Sequence, residues 1–452
     1  MKKLPNTPDS GLALEEREPA AGPVDENVPR TGFWRRLGPG FITGGSDDDP
    51  SGIATYSQAG AAFGFGLLWT MLVCLPLMAA IQEISARIGR ITGKGIAANI
   101  RQHYSAWLLY PLVFLLVAAN TINIGADIGA VGDAVRLLVG GPALVYAAMF
   151  ALTCVILEVF ASYPACCRAL KWLTLSLFSY VGTVIVIHVP WKAAMKGTFL
   201  PSIHFTGSYW ATIIAVFGTT ISPYLFFWQA SQETEEIRNV PQDERLKDQP
   251  RQAREQFGRI RFDTYIGMTF SNIVAYCIIV AAAATLNAHG VTDVQTSAQA
   301  AEALRPIAGR FAFFLFSLGI IGTGLLAVPV MAGSAAYAVG EAFQWPTGLD
   351  RKFGDAKGFY GILTIASVLG LAINFPSVQH LTHLSPIKAL FWSAVINGVV
   401  AGPIMIVMML MCHNKKVMGQ FVNMSRILRM MGWLATAAML LAAIGMFVTW
   451  ND

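Results

Sequence analysis

The chain has 452 residues, 54% of them hydrophobic and 13% charged, with a net charge of +5 and a mean hydropathy of +0.52. A soluble chain would carry about 25% charged residues, so the composition argues against a soluble enzyme and makes lipid the solvent for most of the protein. The modest positive charge calls for no nucleic acid, because loop lysines and arginines set membrane topology.

Residues 1 to about 30 are polar, rich in Pro and Glu, and lack the apolar core of a signal peptide, so residues 1–32 are expected to form a disordered cytoplasmic tail. A membrane domain is expected over 33–452, all-α, because lipid offers no partner for open backbone groups and no period-2 strand pattern suggests a barrel. Apolar runs predict about eleven spans, near 37–62, 66–87, 106–137, 142–161, 171–189, 209–234, 262–286, 311–341, 358–375, 386–411 and 428–449.

Arg87, Arg90, Lys94, Arg101, the cluster from Arg238 to Arg261, Arg351, Lys352, Lys415 and Lys416 fall in alternate loops. That asymmetry predicts a cytoplasmic N-terminus and an outside C-terminus in the cell membrane.

The first span reads Gly44, Gly45, Ser46, Asp47, Asp48, Asp49, Pro50, Ser51, Gly52 before turning apolar at Ile53. A charge at mid-membrane costs at least a few kcal/mol, so these carboxylates should face a wet cavity or a bound cation. Proline and glycine unwind a helix there and free carbonyl oxygens, which are themselves cation ligands. Successive helical residues are about 100° apart, so the three aspartates do not share one face. Asp49 is expected as the direct ligand, Asp48 as a vestibule carboxylate and Asp47 as structural.

The sixth span carries the partner break, Gly218, Thr219, Thr220, Ile221, Ser222, Pro223, Tyr224. Breaks in spans one and six are the placement expected of inverted repeats, about 37–189 and 209–411, with an extra helix near 428–449 and the cargo held between two discontinuous helices. An ordinary proline kink is the alternative for Pro223. A carboxylate with the hydroxyls of Ser46, Thr219 and Ser222 and freed carbonyls makes an all-oxygen environment, suited to Mg2+, Ca2+ or Mn2+. Neither break contains His, Cys or Met.

These two segments resemble the NRAMP family of divalent-metal transporters, a likeness that extends over the membrane domain with its Gly38-Pro39-Gly40 entry. The resemblance implies a LeuT-like inverted repeat and a metal ion as cargo, with no resident cofactor. Most members carry Asp-Pro-Gly-Asn in span one and Ala-Thr-Val-Met-Pro-His in span six. Here Asp49 and both prolines remain, while the family's asparagine, methionine and histidine fall on Gly52, Ser222 and Tyr224. Losing the thioether and the asparagine leaves a harder, roomier site, which suits a partly hydrated Mg2+. The chain is thus most similar to the NRAMP-related magnesium transporters.

In the main family proton coupling is associated with the span-six histidine, with acidic residues in span three and with basic residues in span nine. Here Tyr224 and Gln229 stand where histidines would, span three reads Asn120 to Asp127, and span nine lacks Arg, Lys and His. Uncoupled transport driven by membrane potential is expected, with Mg2+ ahead of Mn2+. Asp127 keeps a carboxylate in span three, which leaves a modified proton route open. A proton-coupled Mn2+ or Fe2+ importer is the alternative. An amino-acid permease is disfavoured because three aspartates repel a carboxylate, and no paired catalytic groups suggest an intramembrane enzyme.

Asn397 in span ten is either a water-mediated cation contact or an interhelical hydrogen bond. Gln229 and Glu233 line an inner exit, or Glu233 ends a solvated helix. Glu83, Glu158 and Glu341 lie near helix ends, where charges reach the interface. Met405 to Met411, Cys74, Cys154, Cys277 and Cys412 are expected to pack, and the Cys166–Cys167 and His380/His383 pairs are weak metal signals.

Overall fold

The computed structural model describes residues 38–160, 173–239, 244–294, 297–378 and 386–448. The N-terminal tail, the Cys166–Cys167 pair and the His380/His383 pair lie outside the described residues. Every regular element among those described is helical: α1 (Pro39–Asp47), α2 (Pro50–Phe63), α3 (Trp69–Thr92), α4 (Ile96–His103), α5 (Ala106–Val139), α6 (Ala143–Phe160), α7 (Phe178–Val186), α8 (Trp191–Phe199), α9 (Gly207–Thr220), α10 (Pro223–Asn239), α11 (Ala253–Thr285), α12 (Ser297–Phe343), α13 (Lys357–Ile373), α14 (Pro386–His413) and, last, α15 (Arg426–Val448).

Eight of these segments are long and apolar enough to cross a membrane, counting α9 with α10. The pieces of the first broken helix, α7 and the shorter α13 lie where the remaining spans are expected from sequence. Large apolar side chains such as Phe114, Leu152, Ile185, Leu441 and Phe447 stay exposed on the flanks, as a lipid-facing surface requires. Met405, Met408, Met409 and Met411 are buried packing residues, and Cys74, Cys154 and Cys412 are buried and free.

The helices α4 and α8 lie in stretches read from sequence as loops. Their short length left them below any span-length pattern. Within α12 the backbone leaves helical geometry at Gly309, φ 76°, so two helices meet there.

The first break is narrower than the sequence suggested. Gly44, Gly45 and Ser46 remain helical, and α1 ends only at Asp47. The two glycines serve packing: a Cβ on Gly44 would collide with the backbone of Gly267 in α11, and one on Gly45 would press on Thr174. Close backbone approach through small residues is how membrane helices gain contact without a hydrophobic drive.

Asp48 (φ −86°, ψ 57°) is the first non-helical residue, and Asp49 is extended (φ −68°, ψ 167°), as expected for a residue preceding proline. Pro50 then opens α2 at its first position, where a missing N–H costs nothing. The second break repeats this scheme: Ile221 (φ −116°, ψ 57°) leaves the helix, Ser222 follows and Pro223 restarts it.

Candidate cation site

Asp47, Asp48 and Asp49 are all buried, and each has different surroundings. Asp49 is the N-cap of α2. Its Oδ1 accepts from the Ser51 hydroxyl at 2.7 Å and from the Gly52 amide at 2.5 Å, and its Oδ2 accepts from Asn123 Nδ2 at 2.8 Å. The dipole at the start of α2 and these three donors suit a charged carboxylate. Asp47 accepts from the Ser271 hydroxyl of α11 at 2.7 Å through Oδ2, while its Oδ1 meets no donor. Neither oxygen of Asp48 has a protein donor in hydrogen-bonding geometry. A buried carboxylate without donors costs several kcal/mol, which makes Asp48 an acceptor in search of positive charge.

The second break contributes oxygens from the facing side. A Cβ placed on Gly52 would come within 2.9 Å of Thr219 Oγ1, so Gly52 brings the two breaks into contact. That Thr219 hydroxyl is buried with no partner of its own. Ser222 turns its hydroxyl back onto its own helix end, 2.7 Å from the carbonyl of Gly218 and 2.8 Å from that of Thr219. Tyr224 is buried and donates to the Ser46 carbonyl at 2.7 Å, crossing from α10 to α1.

The remaining expected residues spread outward. Asn397 Oδ1 on α14 is buried without a donor. Gln229 lies 3.4 Å from the Thr264 hydroxyl through Nε2, and its Oε1 is likewise without a partner. Glu233 does not end a solvated helix: it is buried and ion-paired with Arg259. Glu83 does not reach an interface either, whereas Glu341 is only partly buried and lines an open cavity at the end of α12. Glu83 is buried against Arg87, and Glu341 accepts from the Ser231 hydroxyl at 2.9 Å and from the Ala98 amide, the start of α4, at 3.1 Å. Glu158 is buried. Interior cations and helix amides take part of what the reading from helix ends assigned to water, while one oxygen each of Glu83, Glu158 and Glu233 meets no donor.

Three contributors, Asn123, Met331 and Ser393, were given no role from sequence, and Asp127 was read only as a remnant of a proton route. Asn123, buried on α5, holds Asp49 and also lies 2.9 Å from Met331 Sδ of α12, while its Oδ1 accepts from Ser393 of α14 at 2.6 Å. Asp127, one turn on, accepts from the Ser51 amide at 3.0 Å and leaves its Oδ2 unpartnered. The Asn123 and Asp127 pair at i, i+4 on an apolar span was a readable signal; Met331 and Ser393 carried none.

Among the described residues no three His, Cys, Asp or Glu side chains converge on a common point. A cavity of about 890 Å³ opens elsewhere, lined by Lys94, Arg101, Arg238, Tyr337 and Glu341 between α4, α10 and the end of α12. The breaks themselves are shut in this conformation.

A family profile described as natural resistance-associated macrophage protein-like, Nramp, matches residues 40–449. The chain belongs to the Nramp family. Nramp proteins are divalent-metal transporters of multi-pass membrane architecture, so the class is transport. A divalent metal cation transporter MntH from Klebsiella pneumoniae is 27% identical over 410 residues, covering 89% of this chain and 91% of its own.

In structure, a manganese transporter from Eremococcus coleocola superposes with a TM-score of 0.72 at 18% identity, over 92% of this chain and 88% of that one. The amino-acid-bound transporter MhsT matches with a TM-score of 0.56 at 14% identity, covering 91% of this Nramp chain and 97% of its own. That likeness extends the fold to the LeuT-type inverted repeat with discontinuous first and sixth helices.

Proposed function

We propose that this Nramp protein carries a hard divalent cation, Mg2+ ahead of Mn2+, by alternating access through the paired breaks, without obligatory proton exchange. The observation that carries the reading is the set of buried oxygens lacking donors around the breaks: both oxygens of Asp48, Thr219 Oγ1, Asp127 Oδ2 and Asn397 Oδ1. A hard cation is the partner such an all-oxygen set calls for.

In this reading Asp48 captures the ion and Asp49 becomes its direct ligand once Asn123 yields. Thr219, the Ser46 carbonyl and the Ser222 oxygen complete the shell with retained water, and Tyr224 and Gln229 shape its edge. The Gly52 gap leaves room for that water. The N-terminus faces the cytoplasm, and the membrane potential drives entry at about 2.3 kcal/mol per charge per 100 mV.

Two observations favour a softer cargo as second reading: Met331 places a thioether beside Asn123, and a solved structure similar to this chain is described as a manganese transporter. Proteoliposomes with an imposed negative-inside potential and an interior pH dye separate the two. Mg2+ entry without acidification supports the first reading; Mn2+ entry with acidification and no Mg2+ flux overturns it in favour of the second.

A further inference from the structure

Helix α1 starts at Gly38 with no side-chain cap of its own. Its cap comes from 225 residues away. The buried carboxylate of Asp263 on α11 accepts from the Gly38 amide at 2.8 Å, the Phe41 amide at 3.0 Å and the Gly40 amide at 2.7 Å. Pro39 has no amide hydrogen, so one side chain takes every free donor up to Phe41 at the start of α1. One turn earlier on α11, Arg259 is ion-paired with the buried Glu233 of α10.

Two successive turns of α11 therefore hold both α1 and α10, the half-helices that lead away from the breaks on a common face. The same face of α11 continues through Gly267, against the backbone of Gly40 and Gly44, to Ser271, which holds Asp47 at the far end of α1. Residues 263, 267 and 271 stand at i, i+4 and i+8, a single stripe along α11.

We infer that Asp263 is a positioning residue for transport: with Arg259 it clasps α1 and α10 together and keeps the breaks closed toward the face at which α1 begins. An ion at Asp48 and Asp49 leaves by that face only when α1 parts from α10, and the capping bonds of Asp263 must open first. The clasp acts through α1 and does not touch the cargo. Its role in transport rests on the cation reading above, whereas the clasp itself is a property of the apo protein.

Hydrogen–deuterium exchange on the purified full-length chain without metal tests it. Asp263→Asn should speed exchange across 38–47 by about tenfold or more while leaving 50–63 unchanged, since three charge-assisted caps are weakened and nothing in α2 is. Asp263→Glu should recover part of the protection. Glu233→Gln, which cuts only the α10 arm, should loosen 223–239 and keeps the test available should the Asp263→Asn protein not fold.

Unchanged exchange over 38–47, or faster exchange spread evenly over all helices, overturns the clasp. Cation flux read on the same variants addresses the other layer. Faster exchange at 38–47 with neither Mg2+ nor Mn2+ flux in any variant or in the parent leaves the clasp standing and removes the cargo reading.

Discussion

The Tyr224 hydroxyl donates to the Ser46 carbonyl at 2.7 Å, tying the start of α10 to the end of α1 across the two breaks. Ser46 belongs to the last turn of α1, where carbonyls lose their helical partners. That bond takes one lone pair of the Ser46 carbonyl and weakens what the oxygen offers to an ion through the other. Tyr224→Phe is expected to lower stability by about 1 kcal/mol and to lower the half-saturating Mg2+ concentration in uptake assays. A raised half-saturating concentration would mean that the phenol oxygen is itself a ligand.

Asp48 and Asp49 should respond oppositely to neutralisation. Asp49→Ala removes an N-cap worth about 1 kcal/mol and should abolish uptake with expression intact. Asp48→Asn replaces a buried carboxylate without donors, so the metal-free protein should melt at a higher temperature and lose most of its Mg2+-dependent thermal shift. Thermal melting with and without Mg2+ reads both. An Asp48→Asn protein that keeps its full Mg2+ shift removes Asp48 from the site.

Asn123 holds Asp49 by a neutral amide, so the pair carries one negative charge. Asn123→Asp puts a second carboxylate at hydrogen-bond distance from the first, and two such groups do not stay ionised together. Uptake by this variant should depend on pH more steeply than uptake by the parent, visible as greater interior acidification during metal entry. A flat pH profile in the variant would place the control of proton coupling away from α5.

Met331 presents its sulfur to the same amide, 2.9 Å from Asn123 Nδ2. Thioethers favour soft cations. Met331→Leu should weaken competition by Cd2+ against Mg2+ uptake by about tenfold while changing the half-saturating Mg2+ concentration less than twofold. Equal loss for both ions would mean that the side chain acts through packing alone.

The membrane class, the positions of the spans and both breaks were legible because each rests on local signals: apolar length, and a small-polar-proline run within it. Pro50 and Pro223 marked the restarts to the residue. What the sequence hid lies in pairings between distant elements. Gly44 and Gly45 look like helix breakers until Gly267 and Thr174 are seen against them. Glu233 and Glu83 look like interfacial charges until Arg259 and Arg87 are found inside. Asn123 was visible as a polar residue on an apolar span, yet its hold on Asp49 depends on three other helices arriving at one place.

The backbone at Asp48 and at Ile221 turns with the same ψ of 57°, each two residues before a proline. One of these residues carries a carboxylate and the other a plain hydrocarbon. The bend is therefore written by the proline and not by the charge, and the two halves of the protein share a joint without sharing a chemistry. On the proposed reading, substitutions at the charged joint alter the cargo while the mechanics of opening stay in place.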